Sequence, residues 1–340
     1  MNVKPLMRVL FYLSSFAFLT LFFQNCSANK LKESSKVSAS EVGKLIFKSN
    51  FGSGVVLRSP HNLYTNGLGA WQGLTGIDEE TGYNWSNPIL NSYFNGMQLI
   101  TADPVTLDTI GDYMTNEIRQ VPGPKGDLVY ELFTNLKIKP PPGIGSAQSP
   151  LLINRPWDKG DVTDLYMSYW FKFQPDLVER LDNTVSSGNW RVLFEFKTGG
   201  YNNTYQGDYR IQTTVLKGSD NKLYWMAKGD NVANGPWPRI DYWIDRNMTF
   251  PVPVGTWFKF EVFWHRSNSS DGRYWNAING QTLFDHYGPN MGDLNLPINR
   301  IFIVNAYSGG TPNVQTEITG LEIWSGFPCG YGVSCYNEGL

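Results

Sequence analysis

The chain has 340 residues, with 20 Phe, 18 Tyr and 12 Trp against 28 basic and 30 acidic groups, and with 34 Gly and 20 Pro. Abundant aromatics at a net charge of −2 exclude a disordered, solvating chain and argue against a nucleic-acid binder, which would carry a basic excess. The many Gly and Pro residues argue against a coiled coil or helical array and point to an exported all-β protein.

Residues 1–26 read as a targeting segment. Lys4 and Arg8 form a short basic region, and residues 9–23 are an apolar stretch shorter than the roughly 20 residues of a membrane span. Cys26 follows at once. A Cys in that place resembles a bacterial lipoprotein signal, in which the Cys is lipidated and becomes the first residue. Phe23, Gln24 and Asn25 depart from the Leu, small residue and Gly, Ala or Ser preferred there. Ordinary cleavage after Ala28 is the alternative. Residues 27–43, with Lys30, Lys32 and Lys36 among Ser34, Ser35, Ser38 and Ser40, read as a flexible tether. Six of the 28 basic and two of the 30 acidic groups lie in residues 1–44, which leaves the remaining body at −6.

From residue 44 to residue 328 the pattern is period two with turn punctuation. Strands are expected over 44–47, 54–57, 98–101, 113–121, 128–137, 165–173 and 190–197. They continue over 209–216, 222–228, 257–265, 273–278, 301–307 and 317–324. Residues 175–181 are the one helix-like stretch, with Pro175 at its start. Residues 140–150, opening Pro140-Pro141-Pro142-Gly143, read as a surface crossover loop, and residues 44–139 carry too few clear strands for a separate core. So many short strands imply an all-β fold of two antiparallel sheets face to face, a jelly-roll β-sandwich.

Several motifs in order sharpen that expectation. They are Asp164 to Phe173 (DLYMSYWFKF), Gly255-Thr256-Trp257 opening a strand, Asp271-Gly272-Arg273-Tyr274-Trp275 with Asn279-Gly280-Gln281, Tyr307-Ser308-Gly309-Gly310, and Thr319 to Gly326 (TGLEIWSG). Together they resemble the concanavalin-A-like jelly roll, and more narrowly the polysaccharide lyases and laminin-G-type modules built on it. The resemblance implies that the last strand pairs beside the first, near Phe47 to Phe51.

Alternation sorts the strand faces. It puts Trp170 and Lys172 outward on 165–173, and Arg191, Glu195 and Lys197 outward on 190–197, with Trp190, Val192, Phe194 and Phe196 inward. Arg210 and Gln212 point outward on 209–216, Lys259, Glu261 and His265 on 257–265, and Thr115, Glu117 and Arg119 share one face of 113–121. Sugars suit such a face, since rings stack on aromatics and hydroxyls meet planar polar groups. β-Elimination of a uronate polysaccharide needs a group to neutralise the carboxylate, a base for the C5 proton and an acid for the leaving oxygen.

Jelly-roll alginate lyases carry R-T-E-L-R-like, Q-I-H and Y-F-K-x-G-x-Y strands. Thr115-Asn116-Glu117-Ile118-Arg119 is similar to the first in its Glu and last Arg, Arg210-Ile211-Gln212 is nearest to the second, and the third is absent. The resemblance assigns carboxylate neutralisation to Arg119, Arg210 or Gln212, and base or acid to Lys197, His265 or Tyr307. Glu117, Trp170, Lys172 and Glu195 would line the substrate path. A plain, solvated, cross-paired sheet face is the competing reading of the same residues. No strand shows the clustered E-x-D-x-x-E carboxylates of glycoside hydrolases.

Cys329 and Cys335 suit a local disulfide in a C-terminal tail of residues 329–340, worth about 2 kcal/mol by loop closure. No cofactor is expected. A structural Ca²⁺ at Asp220, Asn221 or Asp271 is the weaker alternative to plain turns. The scattered His61, His265 and His286 offer no metal spacing, and sequons at Asn84, Asn202, Asn247 and Asn268 read as chance. The expected partners are a polysaccharide and, through a lipid anchor alone, a membrane. A non-catalytic carbohydrate-binding or adhesion module and a structural envelope protein remain open beside the lyase. Of the aromatics, Phe11, Tyr12, Phe16, Phe18, Phe22 and Phe23 belong to the leader, and Trp170 leads the outward ones.

Overall fold

The computed structural model describes residues 42–62, 65–67, 69–86, 95–99, 106–137, 148–154, 163–182, 189–198, 209–231, 240–290, 298–305, 313–330 and 334–336. The leader with Cys26, most of the tether, and Tyr307 lie outside the described residues.

The described chain opens with β1 (Leu45–Ser49), β2 (Val55–Leu57), β3 (His61–Asn62), β4 (Ala70–Gly76) and β5 (Gly96–Leu99). A helical turn α1 (Ile110–Tyr113) leads into β6 (Met114–Pro122), β7 (Leu128–Leu136), β8 (Gln148–Asn154) and β9 (Asp164–Phe173). A second turn α2 (Leu177–Arg180) precedes β10 (Trp190–Thr198), β11 (Arg210–Lys217), β12 (Leu223–Asn231) and β13 (Ile240–Asn247). Then come β14 (Phe258–His265), β15 (Arg273–Ile278), β16 (Gln281–Tyr287), β17 (Ile298–Asn305) and β18 (Val314–Trp324).

Eight strands form one sheet in the order β16-β15-β14-β9-β18-β7-β6, with β1 also on β18. Ten form the other in the order β13-β12-β11-β10-β17-β8-β5-β4-β2, with β3 on β4. The pairings are antiparallel throughout. The molecule is a two-sheet antiparallel jelly-roll β-sandwich.

Each of the thirteen expected strands is present, with ends moved by three residues or fewer. Strands β3, β4, β8, β13 and β16 were not expected. Strand β8 corrects the reading of residues 140–150 as loop, since Gln148 to Pro150 belong to a strand between β5 and β17. Residues 44–139 contribute seven strands, three to the eight-stranded sheet and four to the ten-stranded one. The last strand does pair beside the first, with Phe47 opposite Ile323 and Ser49 opposite Leu321. Asn279 and Gly280 turn β15 into β16 with φ of 48° and 78°, the two positive values that a tight hairpin needs.

Aromatic rings fill the space between the sheets. Phe196 stacks on Trp264 at 5.5 Å, Phe194 meets Phe260 at 6.2 Å, and Phe173 meets Trp225 at 6.5 Å. Burying a ring of that size contributes about 1.5–3 kcal/mol. One polar group in the core is a linked set: Asn276 Nδ2 donates to Thr213 Oγ1 at 2.7 Å, and Thr213 also shares a hydrogen bond with Tyr274.

Strand β10 carries a bulge between Val192 and Phe194. Beyond it, Phe194 and Phe196 face the core, and Glu195 and Lys197 face out, as alternation requires. Before it the pairing with β11 shifts, so that Arg191 lies opposite inward Val215 and is buried, while on the β17 side Val192 keeps the parity of Phe194. The expectation of Arg191 outside is thereby corrected by the extra residue. Burial pushes the Arg191 guanidinium down to about 9. Tyr169, on the facing sheet, donates its hydroxyl to the Leu193 carbonyl at 3.1 Å and holds the bulge in place.

The outer face of the eight-stranded sheet has its own apolar cluster of Tyr166, Phe263, Trp275, Ala277 and Phe327. Phe327 brings the C-terminal segment onto that face. The disulfide joins Cys329 to Cys335, and buried Glu261 on β14 then clasps the loop. Its carboxylate accepts hydrogen bonds from the Tyr166 hydroxyl at 2.7 Å, the Ser334 hydroxyl at 2.5 Å and the Cys335 amide at 2.9 Å. Glu261→Ala leaves three donors without their acceptor and should destabilise the fold by about 2–4 kcal/mol. Urea unfolding of the variant checks this, and a midpoint equal to wild type would refute it.

Candidate functional site

Strands β10, β11 and β12 lie side by side, so their outward residues form two rows across the ten-stranded sheet. Lys197, Arg210 and Asp230 stand opposite one another in one row, and Glu195, Gln212 and Lys228 in the next. Arg210 sits at the centre. Its Nε and Nη2 donate to the two oxygens of Asp230 at 2.8 and 2.6 Å, and its Nη1 donates to Glu195 at 2.7 Å. Lys197 adds a 3.3 Å ion pair to Glu195, and Lys228 a 2.9 Å pair to Asp230. Lys228 also reaches Asp241 at 3.3 Å on β13.

This face is cross-paired, but it is not solvated. Glu195 and Asp230 are 0 % exposed, Lys197, Lys228 and Gln212 5 %, and Arg210 8 %. Out of water each ion is held by its neighbours alone, which fixes the geometry far more tightly than a surface pair would. Burial pushes the Asp230 carboxyl up, with Arg210 opposing. On the other side of the row, the Lys197 ammonium lies 4.3 Å from the ring of Phe302 on β17, and Phe302 packs with Trp71 of β4. An apolar ledge thus borders the charged row.

Gln212 departs from the pattern of full pairing. Its Nε2 donates to Thr214 Oγ1 at 3.2 Å, but its buried Oε1 has no hydrogen-bond partner. A buried carbonyl oxygen left empty costs about 1–3 kcal/mol, so an acceptor at this place suits a ligand hydroxyl or amide.

The candidate residues from sequence separate onto two faces. Lys197, Arg210, Gln212 and Glu195 come together on the ten-stranded sheet. Arg119, Glu117, Trp170, Lys172 and His265 all lie on the eight-stranded sheet. Arg119 and Arg210 therefore cannot share one carboxylate. His265 pairs its Nδ1 with Asp164 at 2.9 Å, which with Asp271 nearby holds its pKa above the usual histidine value. Tyr307 lies outside the described residues. Lys228, Asp230, Phe302 and Trp71 escaped the sequence reading, although the polar alternation of Lys228, at the expected end of β12, and Asp230 just beyond it was there to find.

Arg119 belongs to a second polar group. Its Nε donates to Glu131 at 2.6 Å, its guanidinium lies 3.8 Å from the Phe133 ring, and Glu317 pairs with Lys172 beside it. Asp220 and Asp271 are taken up by their own turns, Asp220 by the Lys222 amide and Tyr224 and Asp271 by the hydroxyls of Ser267 and Ser269. No cluster of three metal-ligating side chains occurs among the described residues.

Burial raises the Glu131 carboxyl from 4.5 to about 7, against the pull of Arg119. The folded state then holds a proton that the unfolded chain has released between those two values, so stability falls as pH rises through the window. Glu131→Gln should remove that slope, and urea unfolding from about pH 5 to pH 8 measures it. Equal slopes in wild type and variant would contradict the assignment.

No protein-family model and no curated protein sequence matches the chain. Among solved structures it is similar to alginate lyase Aly36B, with 17 % identity over 57 % of this chain and 82 % of that one at a TM-score of 0.40. It is similar also to an endo-β-1,4-glucuronan lyase from the fungus Trichoderma reesei, with 12 % identity over 63 % and 90 % at 0.44. A third is alginate lyase vAL-1 from Chlorella virus, with 10 % identity over 66 % and 99 % at 0.41.

Proposed function

We propose that the chain engages an acidic, uronate-bearing polysaccharide along the outer face of the ten-stranded sheet and cleaves it by β-elimination. The observation that carries the reading is the empty, buried carbonyl of Gln212 set among Lys197, Arg210 and Lys228 and bordered by Phe302. Arg210, between Glu195 and Asp230, would face the uronate carboxylate, and the Gln212 carbonyl would accept a hydrogen bond from a ligand hydroxyl. In the reaction the C5 proton passes to a base, the C4–O bond breaks, a C4=C5 double bond forms, and the leaving oxygen takes a proton. Lys197 would exchange that proton.

A second reading, a binding module without turnover, is favoured by one specific observation. Lys197, Arg210 and Lys228 each already have a carboxylate partner, so the face is charge-balanced as it stands. Incubating the protein with alginate, glucuronan and a neutral glucan separates the two. A rise in ultraviolet absorbance from unsaturated ends means elimination, and retention on immobilised polymer without that rise means binding alone. Gln212→Ala should weaken either signal by about tenfold, the scale of one hydrogen bond to a ligand. No retention and no rise with the acidic polymers would overturn both readings.

We propose also that the protein is exported and anchored in the bacterial cell envelope by a lipid on Cys26, with residues 27–43 as its tether; plain secretion is the alternative. The sequence supports this by the apolar stretch of residues 9–23 ending just before Cys26. Radioactive palmitate should label the wild type and not Cys26→Ala. An unlabelled wild type would end the idea.

A further inference from the structure

The eight-stranded sheet carries a groove of about 250 Å³ on its outer face, bordered by Lys48, Asn50, Tyr130, Trp170, Lys259 and Glu322. It is built by register. Lys259 on β14 stands directly opposite Trp170 on β9, and Thr319 on β18 stands opposite Trp170 on the other side. Just after Thr319 the pairing of β18 with β9 breaks into a bulge, where Gly320 has a φ of +60°. A Cβ at Gly320 would come within 3.2 Å of the Trp170 ring, so the glycine keeps that edge of the indole bare.

The charges of the groove are not evenly matched. Lys48 pairs with Glu322 at 2.8 Å. Lys259 is 3 % exposed, yet among the described residues no carboxylate lies within ion-pair distance of its ammonium, and the Trp170 ring lies 5.9 Å from it. Burial pulls the Lys259 pKa down, while Glu322 and Glu261 at longer range oppose the shift. A buried cation without a directly paired carboxylate is costly, and an incoming carboxylate relieves it. Trp170 beside it offers an aromatic face to a pyranose ring.

We propose that this groove is a second carbohydrate subsite that takes one uronate unit, its ring against Trp170 and its carboxylate on the Lys259 ammonium. The class of ligand rests on the reading proposed above, but the site does not: it lies on the sheet opposite Gln212.

Calorimetric titration of the full chain with an alginate trisaccharide tests it. The wild type should show two classes of site. Trp170→Ala and Lys259→Met should each weaken one class by about tenfold or more, the scale of a charge-assisted hydrogen bond, and leave the class that depends on Gln212. Trp170→Ala alters a half-buried ring and keeps the test usable if Lys259→Met fails to fold. A single class, lost in Gln212→Ala and untouched in both groove variants, overturns the groove and leaves the proposed function standing. Binding lost only in the groove variants overturns the assignment of the ten-stranded face and supports the groove. Equal binding of a carboxyl-reduced trisaccharide at the groove overturns the role of Lys259.

Discussion

The Tyr169 hydroxyl crosses the sandwich to the Leu193 carbonyl, at the point where β10 holds one residue more than its neighbour. Strand β10 lies between β11 and β17 in the ten-stranded sheet, so its register decides what that sheet presents on either face. With the extra residue absorbed at Leu193, Phe194 and Phe196 reach the core while Glu195 and Lys197 meet Gln212 and Arg210 outside. A hydrogen bond to a buried backbone carbonyl contributes only about 0.5–1.5 kcal/mol net. Its structural leverage is larger, because a slip of one position would exchange the two faces.

The charged row built on that register is better understood as a device of position than of stability. Taking Glu195, Arg210 and Asp230 out of water costs about as much as their mutual attraction returns. What the arrangement secures is that Arg210, gripped by carboxylates on two neighbouring strands, has a single orientation. The same logic explains why Gln212 differs. It is the one member of the two rows whose acceptor oxygen stays unanswered within the protein. On the opposite sheet Lys259 is buried without a direct ion pair among the described residues, and a ligand carboxylate would supply one there.

Period-two alternation made most of the fold legible, and its failures have particular causes. Strand β4 contains Gly73 and Gly76, which erase the alternation, and β8 contains Pro150 after a run of prolines. Strand β13 is an edge strand whose residues are mostly exposed, so Asp241, Asp245 and Arg246 break the apolar rhythm. Alternation also assigns a face only within one strand. It could not say that Arg119 and Arg210 belong to different sheets, since that depends on pairings between distant residues such as Thr316 with Phe173. Arg191 was misplaced for a third reason: no residue type announces a bulge. Burial of the polar face was hidden as well, because the pattern of a solvated face and of an enclosed ionic one is the same string of letters.

Strand β18 has three neighbours, β1, β7 and β9, so the eight-stranded sheet is assembled around a strand from near the end of the chain. Until residues 314–324 have been synthesised, β6 and β7 have no link to β9, and β1 has nothing to pair with. A nascent chain can form local hairpins such as β6–β7 or β15–β16, but not the sheet that joins them. Closure of the eight-stranded sheet therefore waits on the strand that stands latest in chain order among its members.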